Sequence, residues 1–182
     1  MKRLGYWGLV LAATLGVQAN VWAQSCSKYY ECYEYDEAPA DVWKEEKAKL
    51  PAPPDPAKLI PFEVSVANPN RFFVDPASIS VGKDGIVRFT AVVEASGGAR
   101  TVNYEGLRCE TRERRLYAFG QDDGQWVESQ GSTWIPVHKQ QHKMLNGYPA
   151  VLFDEYFCVD SLPVASAEAA VDALRRGSAA VR

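Results

Sequence analysis

From Phe62 onward, short runs rich in Val, Ile, Phe, Thr and Tyr alternate with turn signals, and this restricts the fold more than any other feature of the chain. Phe62–Val66 alternates, and Arg71–Val74 is apolar and stops at Asp75-Pro76. Ser78–Val81 and Ile86–Ala95 flank Gly82-Lys83-Asp84-Gly85, the pattern of a hairpin with a four-residue loop. Gly97-Gly98 turns the chain before Arg100–Cys109 and Arg112–Phe119. Asp122-Asp123-Gly124 turns it again before Gln125–Glu128 and Thr133–Val137. Strands at this spacing predict an antiparallel meander, an open sheet or a half-open barrel. In Ile86–Ala95, Val87, Phe89, Ala91 and Val93 share one face, while Arg88, Thr90 and Glu94 share the other with Val92. That predicts one buried face and one mostly wet face.

The segments around the meander read differently. Pro39–Leu50 has Pro39 and Asp41 near its start and Glu45 four residues before Lys49, which predicts a short helix with Trp43 and Leu50 on one face. Leu50–Pro61 is proline-dense and extended, a stiff connector. Ala150–Phe157 is read as helix, its period leaving strand as the alternative. Ser166–Arg176 is a clearer helix, with Ser166 as cap, Glu168 in the first turn, an apolar stripe of Ala170, Val171 and Leu174, Arg175 and Arg176 in the last turn, and Gly177 as stop. The fold class is therefore α+β: a mainly antiparallel sheet with a C-terminal helix packed on it.

The first residues carry an address. Lys2 and Arg3 precede a short apolar run from Gly8 to Val17, and Val21 and Ala23 place small residues before a cut, the anatomy of a secretory signal peptide. The run is too short to span a membrane. Cleavage after Ala23 starts the mature chain at Gln24 and delivers it to the periplasm. A lipid anchor on Cys26 is the alternative, although Gln24 fits the lipoprotein pattern poorly. The expected organisation is a signal at 1–23; a tyrosine-rich tail, short helix and proline-rich connector at 24–61; one β-rich domain with its C-terminal helix at 62–177; and a frayed end at 178–182. After cleavage no transmembrane segment is expected. The formal charge of −3 gives no general pull toward nucleic acid.

Export gives meaning to the four cysteines, because disulfides persist in an oxidising compartment. Three pairings are open to Cys26, Cys32, Cys109 and Cys158; the favoured one joins Cys109 to Cys158 within the body and Cys26 to Cys32 within the tail.

Candidate chemistry is sparse. His138 and His142 lie four apart without the glutamate of an H-E-x-x-H motif, so they are read as exposed loop residues and no metal or cofactor is expected. No serine sits in a G-x-S-x-G elbow. Asp122-Asp123 is explained by turn chemistry and Asp154-Glu155 by a solvated face. Arg100, Arg108, Arg112, Arg114 and Arg115 form a basic cluster in an acidic chain. Arg112 and Arg114 fall on one strand face as a candidate anion contact for a carboxylate, phosphate or acidic polysaccharide, with Arg115 opposite. The simpler reading pairs these arginines with Glu94, Glu105, Glu110 and Glu113.

The run RFFVDPASISVGKDGIVRFTAVV, followed by SGGARTVNYEGLRCETRERRLYAFG, resembles the CNP-one-like family of small exported proteobacterial proteins. Trp43, the LP-x-x-P run at Leu50, Trp126, Trp134 and Tyr156-Phe157-Cys158 fit the same pattern. The resemblance implies a Gram-negative envelope location and a shared architecture, and it implies no activity. The function expected is that of a non-catalytic binding or assembly module whose partner is an envelope protein or saccharide. The alternative is a periplasmic hydrolase with a carboxylate site.

Overall fold

The computed structural model describes residues 42–139 and 144–177. The signal segment, the tyrosine-rich tail with Cys26 and Cys32, His142 and residues 178–182 lie outside the described residues. The expected meander is present. Strands β1 (Ile60–Phe62), β2 (Arg71–Val81), β3 (Ile86–Glu94), β4 (Arg100–Arg108), β5 (Glu113–Gly120) and β6 (Trp126–Glu128) pair antiparallel in sequence order, and β7 (Ile135–Pro136) pairs with the other end of β5. Among the described residues β1 and β6 do not pair, so the sheet is open and not a barrel.

Two expected segments differ. Phe62–Val66 is not a strand, since β1 occupies Ile60–Phe62. Arg71–Val74 and Ser78–Val81 are one strand rather than two: Asp75-Pro76 makes an irregularity inside β2, where the Asp75 and Ser78 side chains satisfy the displaced backbone. The turns expected at Gly85, Gly98 and Gly124 fall where glycine supplies positive φ.

One face of the sheet carries the apolar core. Val87, Phe89, Ala91 and Val93 on β3 meet Phe72 and Val74 on β2, Leu107 on β4, and side chains from the C-terminal elements. These elements begin with α1 (Tyr148–Val151), which continues as a π-helical segment (Leu152–Phe157) closed by the Cys158 N–H donating to the Phe153 carbonyl. The helix expected over Ala150–Phe157 is thus present and starts at Tyr148. Strands β8 (Cys158–Val159) and β9 (Leu162–Pro163) form a two-residue hairpin whose turn residues Asp160 and Ser161 both have positive φ. Helix α2 (Ala167–Arg176) packs against β1, β2 and the π-helical segment. The Ser166 hydroxyl caps it by accepting from the Ala169 N–H.

Cys109 and Cys158 are disulfide-bonded at a sequence separation of 49, joining the end of β4 to the end of the helical segment. A loop of that length corresponds to roughly 4 kcal/mol in the chain-entropy account.

The second face departs from expectation. Arg88, Thr90 and Val92 are all buried. Residues 42–50 form no helix; with the prolines that follow, they run as an irregular strap across this face. The Trp43 Nε1 donates to the Asp84 carbonyl, the Arg88 Nη2 to the Glu46 carbonyl, and the Trp126 Nε1 to the Pro51 carbonyl. Local propensity favoured a helix over residues 39–50, but an extended strap lets its carbonyls reach side-chain donors on the sheet. Gly106 on β4 keeps the face shallow beneath it, since a Cβ there would lie 2.8 Å from the Tyr117 hydroxyl and 2.9 Å from the Ile86 Cγ2.

Candidate binding site

The basic cluster divides once the strands are in register. Arg115 faces the strap, where its Nη1 donates to Glu45 Oε2 at 2.7 Å. Glu45 Oε1 accepts from the Tyr117 hydroxyl and Oε2 also accepts from the Nε1 of Trp134, just before β7, so one carboxylate ties two side chains of β5 and this tryptophan to the strap. Arg108 lies over the Trp43 ring, 3.8 Å from its centroid. Asp84 and Arg88 form a two-pronged ion pair under the strap, their side chains 1% and 5% exposed. Burial works against ionisation of Asp84, but the Arg88 guanidinium and the N–H groups of Glu46 and Ile86 overcome it and lower its pKa. These arginines hold the molecule together.

Arg114 reaches the helical side of the sheet by the phase of β5, whereas Arg112, expected at the start of that strand, lies in the turn before it and reaches the same side from there; only one of them is available to a ligand. Arg112 sits in the β4–β5 turn at a φ of 56°, an unusual value for a residue with a side chain. From there it donates to the Val137 carbonyl at 2.7 Å, binds both carboxylate oxygens of Asp154, and stacks over Phe153. Asp154, expected on a solvated face, is half-buried in this pair. The Arg114 side chain has a single ion contact, 3.5 Å from Glu105 Oε1, and makes no hydrogen bond among the described residues. The other paired arginines sit closer to their carboxylates: 2.6 Å for Arg71 and Arg88, 2.8 Å for Arg108 and 2.7 Å for Arg115.

Arg114 lines a cavity of about 210 Å³ where the start of α1 meets β4 and β5. Asn103, Glu105 and Leu107 alternate on β4 and so point to the helical side. At Leu107 that side is core; two residues away the same phase buries a carboxylate, Glu105, at 1% exposure. The Tyr148 hydroxyl donates to Glu105 Oε1 at 2.6 Å and accepts from Asn103 Nδ2 at 3.1 Å. Glu105 Oε2 and Asn103 Oδ1 have no partner among the described residues. Val93, Leu116 and Pro149 give the cavity apolar walls, and Thr101 and Asn146 stand at its exposed rim.

A bulge adjoins this cavity. Glu105 pairs with Leu116 and Tyr104 with Ala118, leaving Tyr117 as the extra residue. It turns toward the strap, while Arg114 and Leu116 stay on the cavity side.

Burial raises the pKa of Glu105, outweighing the opposing effects of the Arg114 charge, the bond from Tyr148 and the nearby Asn103 amide. Burial, with the Glu105 charge behind it, also holds the Tyr148 phenol well above its usual value. The cavity thus presents a firmly protonated phenol, a carboxyl group that resists ionisation, and a cation without a close partner. Such a set suits recognition of a polar solute. Glu105 is the one carboxylate among the described residues that line this cavity, whereas two-carboxylate glycoside hydrolysis needs a facing pair.

A family model described as the CNP1-like family matches residues 38–175. The chain belongs to that family. The match takes in the strap, the whole CNP1-like sheet, both bonded cysteines and nearly all of α2. No curated protein matches the chain, and no solved structure matches it.

The residues that build the CNP1-like cavity were only partly foreseen. Arg114 was a candidate, and Glu105 was placed only as a counter-ion. Asn103 and Tyr148 were missed. The available signal was phase: an acid and an amide at the inward positions of a strand that otherwise points apolar side chains inward. His138 is exposed, and no group of three or more potential metal ligands occurs among the described residues.

Proposed function

We propose that this CNP1-like protein is an exported envelope protein that works as a non-catalytic binding or assembly module, with the Arg114–Glu105 cavity as its binding site. The observation that carries the reading is Arg114, a cation at a cavity, whose side chain has no hydrogen-bond acceptor among the described residues, in a domain where its neighbours are closely paired. Export is supported by the leader at residues 1–23 and by the disulfide in the folded body. No helix among the described residues is long and apolar enough to cross a membrane. The partner on this reading is a saccharide or protein of the envelope.

The test has two arms. Mass analysis of the envelope fraction is expected to give a chain beginning at Gln24 without lipid; a chain beginning at acylated Cys26 would replace the periplasmic reading with an anchored one. Assay of the purified protein against chromogenic glycosides and esters is expected to show no turnover. Turnover abolished by Glu105→Gln would overturn the non-catalytic reading and make Glu105 a general acid.

A further inference from the structure

The cavity states its requirements in four ways. Its volume of about 210 Å³ exceeds the roughly 150 Å³ that accepts a benzene ring, so it takes one six-membered ring with substituents. Its charge is a single guanidinium, with side chain 30% exposed, backed by the Glu105 carboxyl. A doubly charged phosphate would face that carboxyl with only one cation to hold it, whereas a monovalent carboxylate matches the fork of one arginine. Its remaining polar groups are neutral: the hydroxyls of Thr101 and Tyr148 and the amides of Asn103 and Asn146. The exposed Asn146 amide both donates and accepts, as a ring of hydroxyl groups requires, while Asn103, its Oδ1 buried and one N–H given to Tyr148, has one N–H left to offer. The walls at Val93, Leu116 and Pro149 offer apolar contact to a ring face.

We infer that this cavity is a subsite for one acidic sugar unit of the hexuronate class, its carboxylate held by Arg114 and its hydroxyl groups read by Asn103, Asn146 and Thr101. The inference rests on the binding-module reading and deepens it by naming the ligand. The buried Glu105 is a positioning residue: with Tyr148 and Asn103 it sets the back of the cavity and keeps Arg114 turned toward it.

The test is titration of the exported chain, uniformly labelled with nitrogen-15, with sodium glucuronate, glucose and inorganic phosphate in separate series. Glucuronate is expected to give saturable shifts in the amides of Arg114, Leu116 and Asn146, with glucose at least tenfold weaker. Arg114→Gln is expected to weaken glucuronate binding at least tenfold and to leave the weak glucose response unchanged. Asn146→Ala, at an exposed position, is expected to weaken it several-fold in a fully folded chain, which keeps the test decisive should Arg114→Gln unfold. Equal affinity for glucose and glucuronate, or saturation by phosphate alone at these residues, overturns the ligand class and leaves the binding reading standing. Absence of saturation with all three overturns the inference, and the binding reading is then judged on its own two arms.

Discussion

The two faces of the sheet are both buried, but by different chemistry. On the helical side Phe89, Leu107, Leu152 and Phe157 pack without polar partners and the Cys109–Cys158 bond holds the cover in place. Its stability comes from area removed from water, about 1.5–3 kcal/mol for each large side chain fully buried. On the strap side, Trp43, Glu45 and Glu46 meet Arg88, Arg108, Arg115, Tyr117 and Trp134 through ring contacts and charge-assisted hydrogen bonds. Apolar burial is tolerant of direction, whereas the strap face depends on each donor meeting its acceptor. The first face accordingly accepts a helix, and the second accepts only an extended segment with free carbonyls.

The largest test of that contrast is the Asp84–Arg88 pair. Removing one partner by Asp84→Asn or Arg88→Met leaves a buried charge uncompensated, and a loss of about 3–5 kcal/mol is expected in urea unfolding. Replacing both by apolar residues of similar volume is expected to recover most of it. If the single changes cost less than about 1 kcal/mol, the strap is not fixed by this pair, and the contrast between the faces breaks.

The disulfide tests the helical face. Cys109→Ser and Cys158→Ser are each expected to lower stability by about 2–5 kcal/mol, and the double variant little more than either, because both remove the same bond. Additive losses in thermal melts would show that the cysteines act separately.

Glu45→Ala is expected to cost about 1–3 kcal/mol, from three hydrogen bonds worth about 1 kcal/mol each and discounted for partial exposure. Double-mutant cycles with Arg115, Tyr117 and Trp134 measure how the loss divides; coupling below about 0.3 kcal/mol in every cycle would remove Glu45 from its role as a tie.

The smallest effect is in pH dependence, where the faces have opposite signs. The pKa of Asp84 is lowered by folding, so its contribution is present above the ordinary carboxylate range and lost as pH falls through the folded value. Glu105 is raised by burial, so its contribution is complete below the ordinary range and lost as pH rises through the folded value. Glu105→Gln is therefore expected to flatten the fall in stability on the alkaline side of the carboxylate range and leave the acid limb intact; Asp84→Asn is expected to do the reverse. A Glu105→Gln profile parallel to that of the parent chain would place Glu105 outside this linkage.

The meander was legible because period and turn chemistry are local: Gly82–Gly85 and Asp122–Gly124 set hairpins whatever packs on them. The Asp123 side chain accepts from the Gln125 N–H, as that turn requires. The wet face was misjudged because Arg88 and Thr90 signal solvent by composition, and nothing local says that Glu46 and Asp84 will meet the guanidinium. The same limit applies to the cavity. Arg112 and Arg114 are equivalent by type and by the strand phase read from the sequence; the turn at Arg112 and the helical segment, by presenting Asp154 to one and Tyr148 to the other's neighbour, separate them.

The sequence by itself determined the strand order, the hairpins, the capped C-terminal helix and the face on which each β3 side chain lies, since these follow from backbone periodicity and from residues that fix φ. The cover over each face, the fate of each arginine and the burial of Glu105 were decided by the tertiary structure. Charged groups are satisfied or stranded by partners far along the chain, Glu45 by Trp134 and Arg112 by Asp154, and the energy of such a group depends on where those partners come to rest.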